Sequence, residues 1–249
     1  MRAETICFSD LHISPKTVEG VGRVLTAIVE DILDRKPGAI VCTGDIGEFS
    51  SHNRKSTEFK TADTNVEKKA VKDCLCNYLF KPIADYNNSK RALKKKLYKP
   101  DFFFLMGNHD KLELHWYKKL FAEIAKRLHC RIDVCDEETV LNFEDIVFFK
   151  HTFMKGISGT PHTSCAGVLK DLHANCIHGH RHVREVAEDR DLKGNKITCI
   201  CLPCATPYRP DWACESAQKW DTGWLRLSFD ISGIKHYEFM EYEGDLEND

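Results

Sequence analysis

Short apolar runs alternate with helical periodicity along this chain. Thr5-Ile6-Cys7-Phe8, Ala39-Ile40-Val41-Cys42 and Phe102-Phe103-Phe104-Leu105-Met106 are apolar at nearly every position, which suits strands covered on both faces. Between the first two, Val18, Val21, Leu25, Ile28 and Ile32 recur at spacings of three and four. That spacing predicts a helix with one core-facing stripe, ending near Pro37-Gly38. A second stripe through Leu112, Trp116, Leu120, Ile124 and Leu128 follows the third run. Ile146 to Phe149 predicts a further strand, Val168 to Leu172 a short helix, and Asn175 to Ile177 another strand. Lys196 to Leu202, Trp224 to Phe229 and Ile234 to Tyr242 read as a closing antiparallel set, and the acidic stretch from Glu241 to Asp249 as a frayed end. Strands joined by helices give the α/β class.

Length and composition narrow this picture. At 249 residues the chain suits a single domain over 1–249. No apolar run reaches the roughly 18 residues of a membrane span, and the first residues run into a strand pattern without a signal peptide's apolar region. A cytoplasmic protein with no membrane contact is the expectation. Twelve cysteines would suggest disulfides in a small secreted chain, but Cys7, Cys42, Cys176, Cys199 and Cys201 lie inside apolar runs, where free thiols pack as small hydrophobes. Cys199, Cys201, Cys204 and Cys214 lack the paired spacing of a zinc knuckle, so packing is the expected role there too.

Chemistry enters through five polar signatures, each just past an apolar run: Asp10-Leu11-His12, Gly44-Asp45, Gly107-Asn108-His109-Asp110, His151, and Gly179-His180-Arg181-His182. In an open α/β sheet the carboxyl ends of strands border the ligand crevice, so residues far apart in sequence would converge there. Carboxylates, an amide oxygen and imidazoles form a hard-to-borderline ligand set, suited to manganese, iron or zinc rather than calcium. Gly44 and Gly179 let backbone approach the site closely. His180 and His182, two apart, are expected on an extended segment with both rings on one side.

The ordered series of five blocks resembles the calcineurin-like metallophosphoesterase superfamily. That resemblance implies a four-layer α/β/β/α sandwich built on two mixed β-sheets. It implies Asp10, His12 and His182 around one divalent ion, Asn108, His151 and His180 around the other, and Asp45 bridging both. A hydroxide held between the two ions would attack phosphorus, and His109 would protonate the leaving oxygen. Mn²⁺ is the expected ion at both positions, although Fe, Zn or Ni suits the same set. Asp110 has two readings: a catalytic carboxylate orienting His109, or a cap on the helix beginning near Leu112.

The substrate is less determined. Protein Ser/Thr phosphatases of the superfamily carry Asp-Arg-Gly after the bridging aspartate and end the asparagine block in Glu, whereas this chain has Gly44-Asp45-Ile46-Gly47-Glu48 and Asp110. Its blocks resemble cyclic-nucleotide phosphodiesterases and double-strand-break-repair nucleases more closely. Sixty-two residues separate Asp45 from Asn108, and a basic, mainly helical insert is expected at about 50–100. Residues 51–100 hold thirteen Lys or Arg against five Asp or Glu, a balance of +8 in a chain of net −2. Lys90-Arg91 and Lys94-Lys95-Lys96 either form the solvated face of a helix whose apolar side is Leu93 and Leu97, or offer nucleic acid a contact surface. After His151, Gly156-Ile157-Ser158-Gly159-Thr160-Pro161 loosely resembles stand-alone phosphoesterases of phage and bacteria, and is either an amide cradle for phosphate or a loop. A phosphodiesterase or phosphatase on a small phosphorylated or nucleotide substrate is the leading expectation. A DNA or RNA nuclease is the alternative, and a catalytically silent binding scaffold is the alternative of another class.

Overall fold

The computed structural model describes residues 3–51, 63–156, 159–209, 219–244 and 247–248. Cys214, together with Arg54, Lys55, Lys60, Ile157 and Ser158, lies outside the described residues.

The apolar runs become the parallel centre of the first sheet. Strands β1 (Ala3–Phe8), β2 (Ala39–Cys42), β3 (Asp101–Leu105) and β4 (Ile132–Cys135) lie side by side and parallel. The other edge is finished by an antiparallel pair, introduced below. Between β1 and β2 runs helix α1 (Val18–Arg35), closed at its end by Lys36 in the left-handed conformation, whose amide donates to the Ile32 carbonyl. α2 (Thr64–Cys74) passes through a π-helical turn, Leu75–Phe80, into α3 (Lys81–Ala92). Helix α4 (Leu114–Leu128) connects β3 to β4.

A second sheet begins with β5 (Leu141–Phe143) and β6 (Val147–Lys150). The two-residue strands β7 (Met154–Lys155) and β8 (Thr160–Pro161) then form a small hairpin. Helix α5 (Cys165–Leu172) follows, capped by the Ser164 side chain accepting from the Gly167 amide, and then β9 (Cys176–His178). β10 (Glu185–Arg190) and β11 (Lys196–Cys201) complete the order β10-β11-β9-β6-β5. After the short β12 (Tyr208–Arg209), β13 (Gly223–Asp230) and β14 (Gly233–Glu241) return to the first sheet, giving β14-β13-β1-β2-β3-β4.

Strand alternation sorts side chains into layers. Ile6, Phe8, Ile40, Cys42, Phe102 and Phe104 pack outward against α1 to α4. Their neighbours Cys7, Val41, Phe103 and Leu105 face inward and meet Val147, Phe149, Ile177 and Ile200 of the second sheet. On the far side of that sheet, Cys176, Cys199 and Cys201 pack under Val168 and Leu169 of α5. The layers are therefore helix, sheet, sheet, helix, the expected sandwich with two mixed sheets.

α1 is pinned to β13 by a buried charge. Asp31 accepts from Trp224 Nε1 at 2.7 Å and pairs with the Arg226 guanidinium at 2.8 Å. An unpaired carboxylate so deeply buried would be costly, and here two partners come from one strand while Arg35 of its own helix adds a longer contact at 3.5 Å.

Candidate active site

All the predicted site residues follow strands at their carboxyl ends. Asp10 and His12 follow β1, Asp45 follows β2, and Asn108 and His109 follow β3. From the second sheet, His151 follows β6, and His180 and His182 follow β9. Backbone hydrogen bonds zip these loops together beyond the strands. The Asp10, His12 and Ile13 amides donate to the Gly44, Asp45 and Ile46 carbonyls, and the Gly179 amide donates to the His151 carbonyl. The Ala205 amide donates to the Ser9 carbonyl and joins the two sheets at this end.

Within the crevice the side chains form overlapping groups. Donor atoms of Asp10, His12 and His182 lie within 4.8 Å of one another, as do those of Asp45, His151 and His180, and of His12, Asp45 and His109. His12 Nε2 stands 3.2 Å from His182 Nε2, which in turn stands 3.1 Å from Asp10 Oδ1. His151 Nε2 stands 3.1 Å from Asn108 Oδ1 and 3.2 Å from Asp45 Oδ2. Ring nitrogens converging on each other and on carboxylate oxygens need a proton or a cation among them. An O/N donor set of this composition fits borderline divalent ions.

Backbone geometry differs from the expectation in one respect. His180 and His182 are not on an extended segment: their φ angles are 69° and 60°, in the left-handed region. Asp10, His12 and Asp45 share that conformation at 56°, 48° and 50°. Each such non-glycine residue costs on the order of 1–3 kcal/mol, which the surrounding hydrogen bonds must offset. Each chain reversal aims a side chain back at the crevice instead of along the strand. Gly44 and Gly179 are required beside them. A Cβ at Gly44 would lie 2.7 Å from the Gly107 amide nitrogen, and one at Gly179 would lie 1.9 Å from Ser9 Oγ and 2.6 Å from Asp10 Oδ2.

Asp110 stands elsewhere than either expectation placed it. Its oxygens accept from the Ile46, Gly47 and Gly107 amides and from the Tyr117 hydroxyl, at 2.8–3.2 Å. It therefore neither orients the His109 ring nor caps the following helical turn, where no side-chain cap bond forms. Its carboxylate braces the loop that carries Asp45 against α4. Burial, then the nearby Asp45 charge, pushes its pKa up to about 6.

The residue that sequence reasoning missed is Glu48. Its carboxylate meets His12 Nδ1 at 2.7 Å, and its carbonyl accepts from His109 Nδ1 at 2.7 Å. One residue thus fixes the tautomer of two imidazoles. Its position three residues after Asp45 was the available signal. Trp220 was also unforeseen; its ring meets the His182 imidazole edge-on with centroids 4.0 Å apart.

Charges in the crevice pull in opposite directions. Burial opposes ionisation of Asp10 and Asp45, but imidazoles overcome it: His182 acts on Asp10, His151 and His109 on Asp45, and both carboxyls lie well below the usual range. Burial likewise disfavours charged imidazoles, yet Glu48 lifts His12 to about 10 and Asp45 lifts His151 to about 9. For His180 and His182 burial wins and the pKa falls.

Residues 4–221 match the calcineurin-like phosphoesterase family. The chain belongs to that family. Calcineurin-like phosphoesterases are hydrolases that work through a binuclear divalent metal centre, and the donor groups of this one supply the matching chemistry. Among curated protein sequences none matches. Three examples stand for the solved structures that resemble this phosphoesterase. They are the Pseudomonas putida nuclease MPE (12% identity, 81% of this chain and 74% of that one, TM-score 0.37), the GAP50 anchor of the Plasmodium inner membrane complex (14%, 98% and 86%, 0.43), and a dimetal phosphatase from Danio rerio (11%, 97% and 99%, 0.41). At these scores none of the three informs its substrate.

Among the described residues, the later part of the basic segment of this phosphoesterase, around Lys94 to Tyr98, lies away from the crevice. α3 ends at Ala92, so Lys94, Lys95 and Lys96 lie past the helix, and Leu93, expected on its apolar side, is 63% exposed. Tyr98 donates its hydroxyl to the Pro37 carbonyl, and the Asp101 amide donates to Gly38, which places this segment at the amino ends of β2 and β3. The crevice is at the opposite ends, a strand length or roughly 15 Å away. Lys68 is paired with Glu113 at 2.7 Å. No helix among the described residues is long and apolar enough to cross a membrane.

Proposed function

We propose that this chain hydrolyses a phosphodiester or a small phosphorylated metabolite, with Asp10, His12 and His182 holding one ion, Asn108, His151 and His180 the other, and Asp45 shared between them. The observation that carries this reading is the pair of donor clusters with Asp45 between them. Mn²⁺ is the proposed native ion, on the strength of the O/N donor set. Divalent ions held by these residues would supply Lewis acidity and make a water more easily deprotonated than in bulk.

The protein's own groups do the positioning. The His109 amide donates to Asp45 Oδ1 at 2.9 Å, fixing one oxygen of the shared carboxylate while Oδ2 faces His151. His109 has a second task. A carbonyl can only accept, so the bond to Glu48 puts a hydrogen on Nδ1 and leaves Nε2 as the atom that meets substrate. There a protonated imidazole donates to the leaving oxygen. The side chain keeps 13% of its surface open to solvent, a narrow access that this role needs. All eleven described cysteines are free, which supports a reducing compartment such as the cytoplasm.

The test is a metal-stripped protein reloaded with Mn²⁺ and assayed on a model phosphodiester and a model phosphomonoester. The diester should be turned over, His109→Ala should lower kcat by about 10²–10⁴-fold, and Asp45→Asn should abolish turnover. Undiminished hydrolysis by Asp45→Asn would overturn the two-ion reading.

A further inference from the structure

A second group of metal-type donors lies outside the crevice, beneath α5. β9 and β11 are parallel neighbours in register, with Cys176 beside Cys199 and His178 beside Cys201. Alternation brings all four to one face, and α5 lays its first residue, Cys165, over them. The Cys165, His178 and Cys199 donor atoms lie within 4.8 Å of one another and are buried. Cys176 and Cys201 belong to the same buried group beneath the helix. Cys204, near in sequence and expected to pack, is not in this group: it turns to the Asp221 and Thr206 carbonyls, 3.2 and 3.4 Å away.

We infer that Cys165, His178 and Cys199, with Cys176 or Cys201 completing the set, form a structural site for a thiophilic divalent cation, zinc above all. Three observations argue against plain packing. Thiols alone pack well as small apolar groups, but an imidazole 2% exposed among them serves no apolar purpose. His178 Nδ1 is bonded to the Gly179 carbonyl at 3.0 Å, which places the hydrogen there and turns the Nε2 lone pair toward Cys165 Sγ. Ligating histidines are commonly oriented by such a backbone carbonyl. The Sγ to Nε2 separation is 3.7 Å, and a tetrahedral zinc with ordinary Zn–S and Zn–N bonds has an S to N edge of about 3.6 Å. Donors from one helix and two strands, all soft or borderline and shielded from water, match a closed structural zinc site and not the open O/N crevice.

Cobalt distinguishes the two sites, since only thiolate ligation gives an intense near-ultraviolet charge-transfer band. Full-length metal-stripped protein is titrated with Co²⁺ and then with Zn²⁺. The band should appear, disappear on zinc addition, persist in Asp45→Asn, and be lost in both Cys165→Ser and Cys199→Ser. A wild-type protein that takes up cobalt without the band overturns the proposal, whatever the variants do. So does a band that survives both cysteine substitutions, or a Cys165–Cys199 disulfide found in protein purified without oxidant.

Discussion

The Glu48 carboxylate holds His12 Nδ1 at 2.7 Å, deep enough that the pair is nearly shut off from solvent. A carboxylate behind a ligating imidazole raises its basicity and fixes its orientation, and removing it commonly costs about 10–100-fold in metal affinity. Glu48→Gln keeps the backbone carbonyl that serves His109 and removes only this charge. Its apparent affinity for Mn²⁺ should fall by that factor, with activity restored at high Mn²⁺. Activity lost at every metal concentration would show that Glu48 acts on His109 instead.

Asp110→Asn separates bracing from catalysis. The amide replaces one acceptor oxygen by a donor that would face backbone N–H groups or the Tyr117 hydroxyl, at a cost of about 2–3 kcal/mol. Thermal unfolding should move down by roughly 4–10 °C, with activity falling alongside it. A selective loss of kcat at unchanged Tm would restore the role of Asp110 as a partner to His109.

Metal loading should be coupled to pH. In the metal-free protein Glu48 lifts His12 to about 10 and Asp45 lifts His151 to about 9, both against the effect of burial. Both pKa values are raised on folding, so their ion pairs stabilise the metal-free fold fully below about pH 6.5, and that contribution is lost as pH rises through 9 to 10. A cation must displace these protons. Its apparent affinity should therefore climb between pH 6.5 and 9, by up to about tenfold per pH unit for each proton released. Calorimetric titrations in buffers of different ionisation enthalpy count those protons, and a count of zero would contradict the assignment.

Replacing Lys94, Lys95 and Lys96 together by Glu should leave turnover of both small diesters and DNA within about twofold, with an unchanged salt slope for DNA. Those lysines sit at the amino ends of the strands. A steep fall on DNA alone would mean that long substrates wrap around the domain to reach them.

Much of the site was legible because metal chemistry restricts residue types to a few donors, and because parallel strands present their carboxyl ends together. Asp10, Asp45, Asn108, His151 and His180 were visible as polar positions directly after apolar runs. Layer membership followed from strand alternation, as Ile6 and Phe8 against Cys7 illustrate. Glu48 was missed and Asp110 misplaced for one reason: their roles rest on contacts to backbone and to residues up to 64 positions away. The left-handed turn at His180 was equally hidden, since nothing in a histidine announces it. For Lys94 to Lys96, charge count was readable and location was not, because location depended on a tyrosine reaching the Pro37 carbonyl.

The five left-handed side chains of the crevice also set a limit on engineering. At Asp10, His12, Asp45 and His182 relief of the backbone would be offset by the buried ion pairs that are lost, but at His180, outside those pairs, glycine or asparagine would relax the backbone of the metal-free chain while removing a donor that the ion needs. A thermostability screen blind to activity would favour change at that position. It would return a well-folded sandwich with an emptied catalytic function.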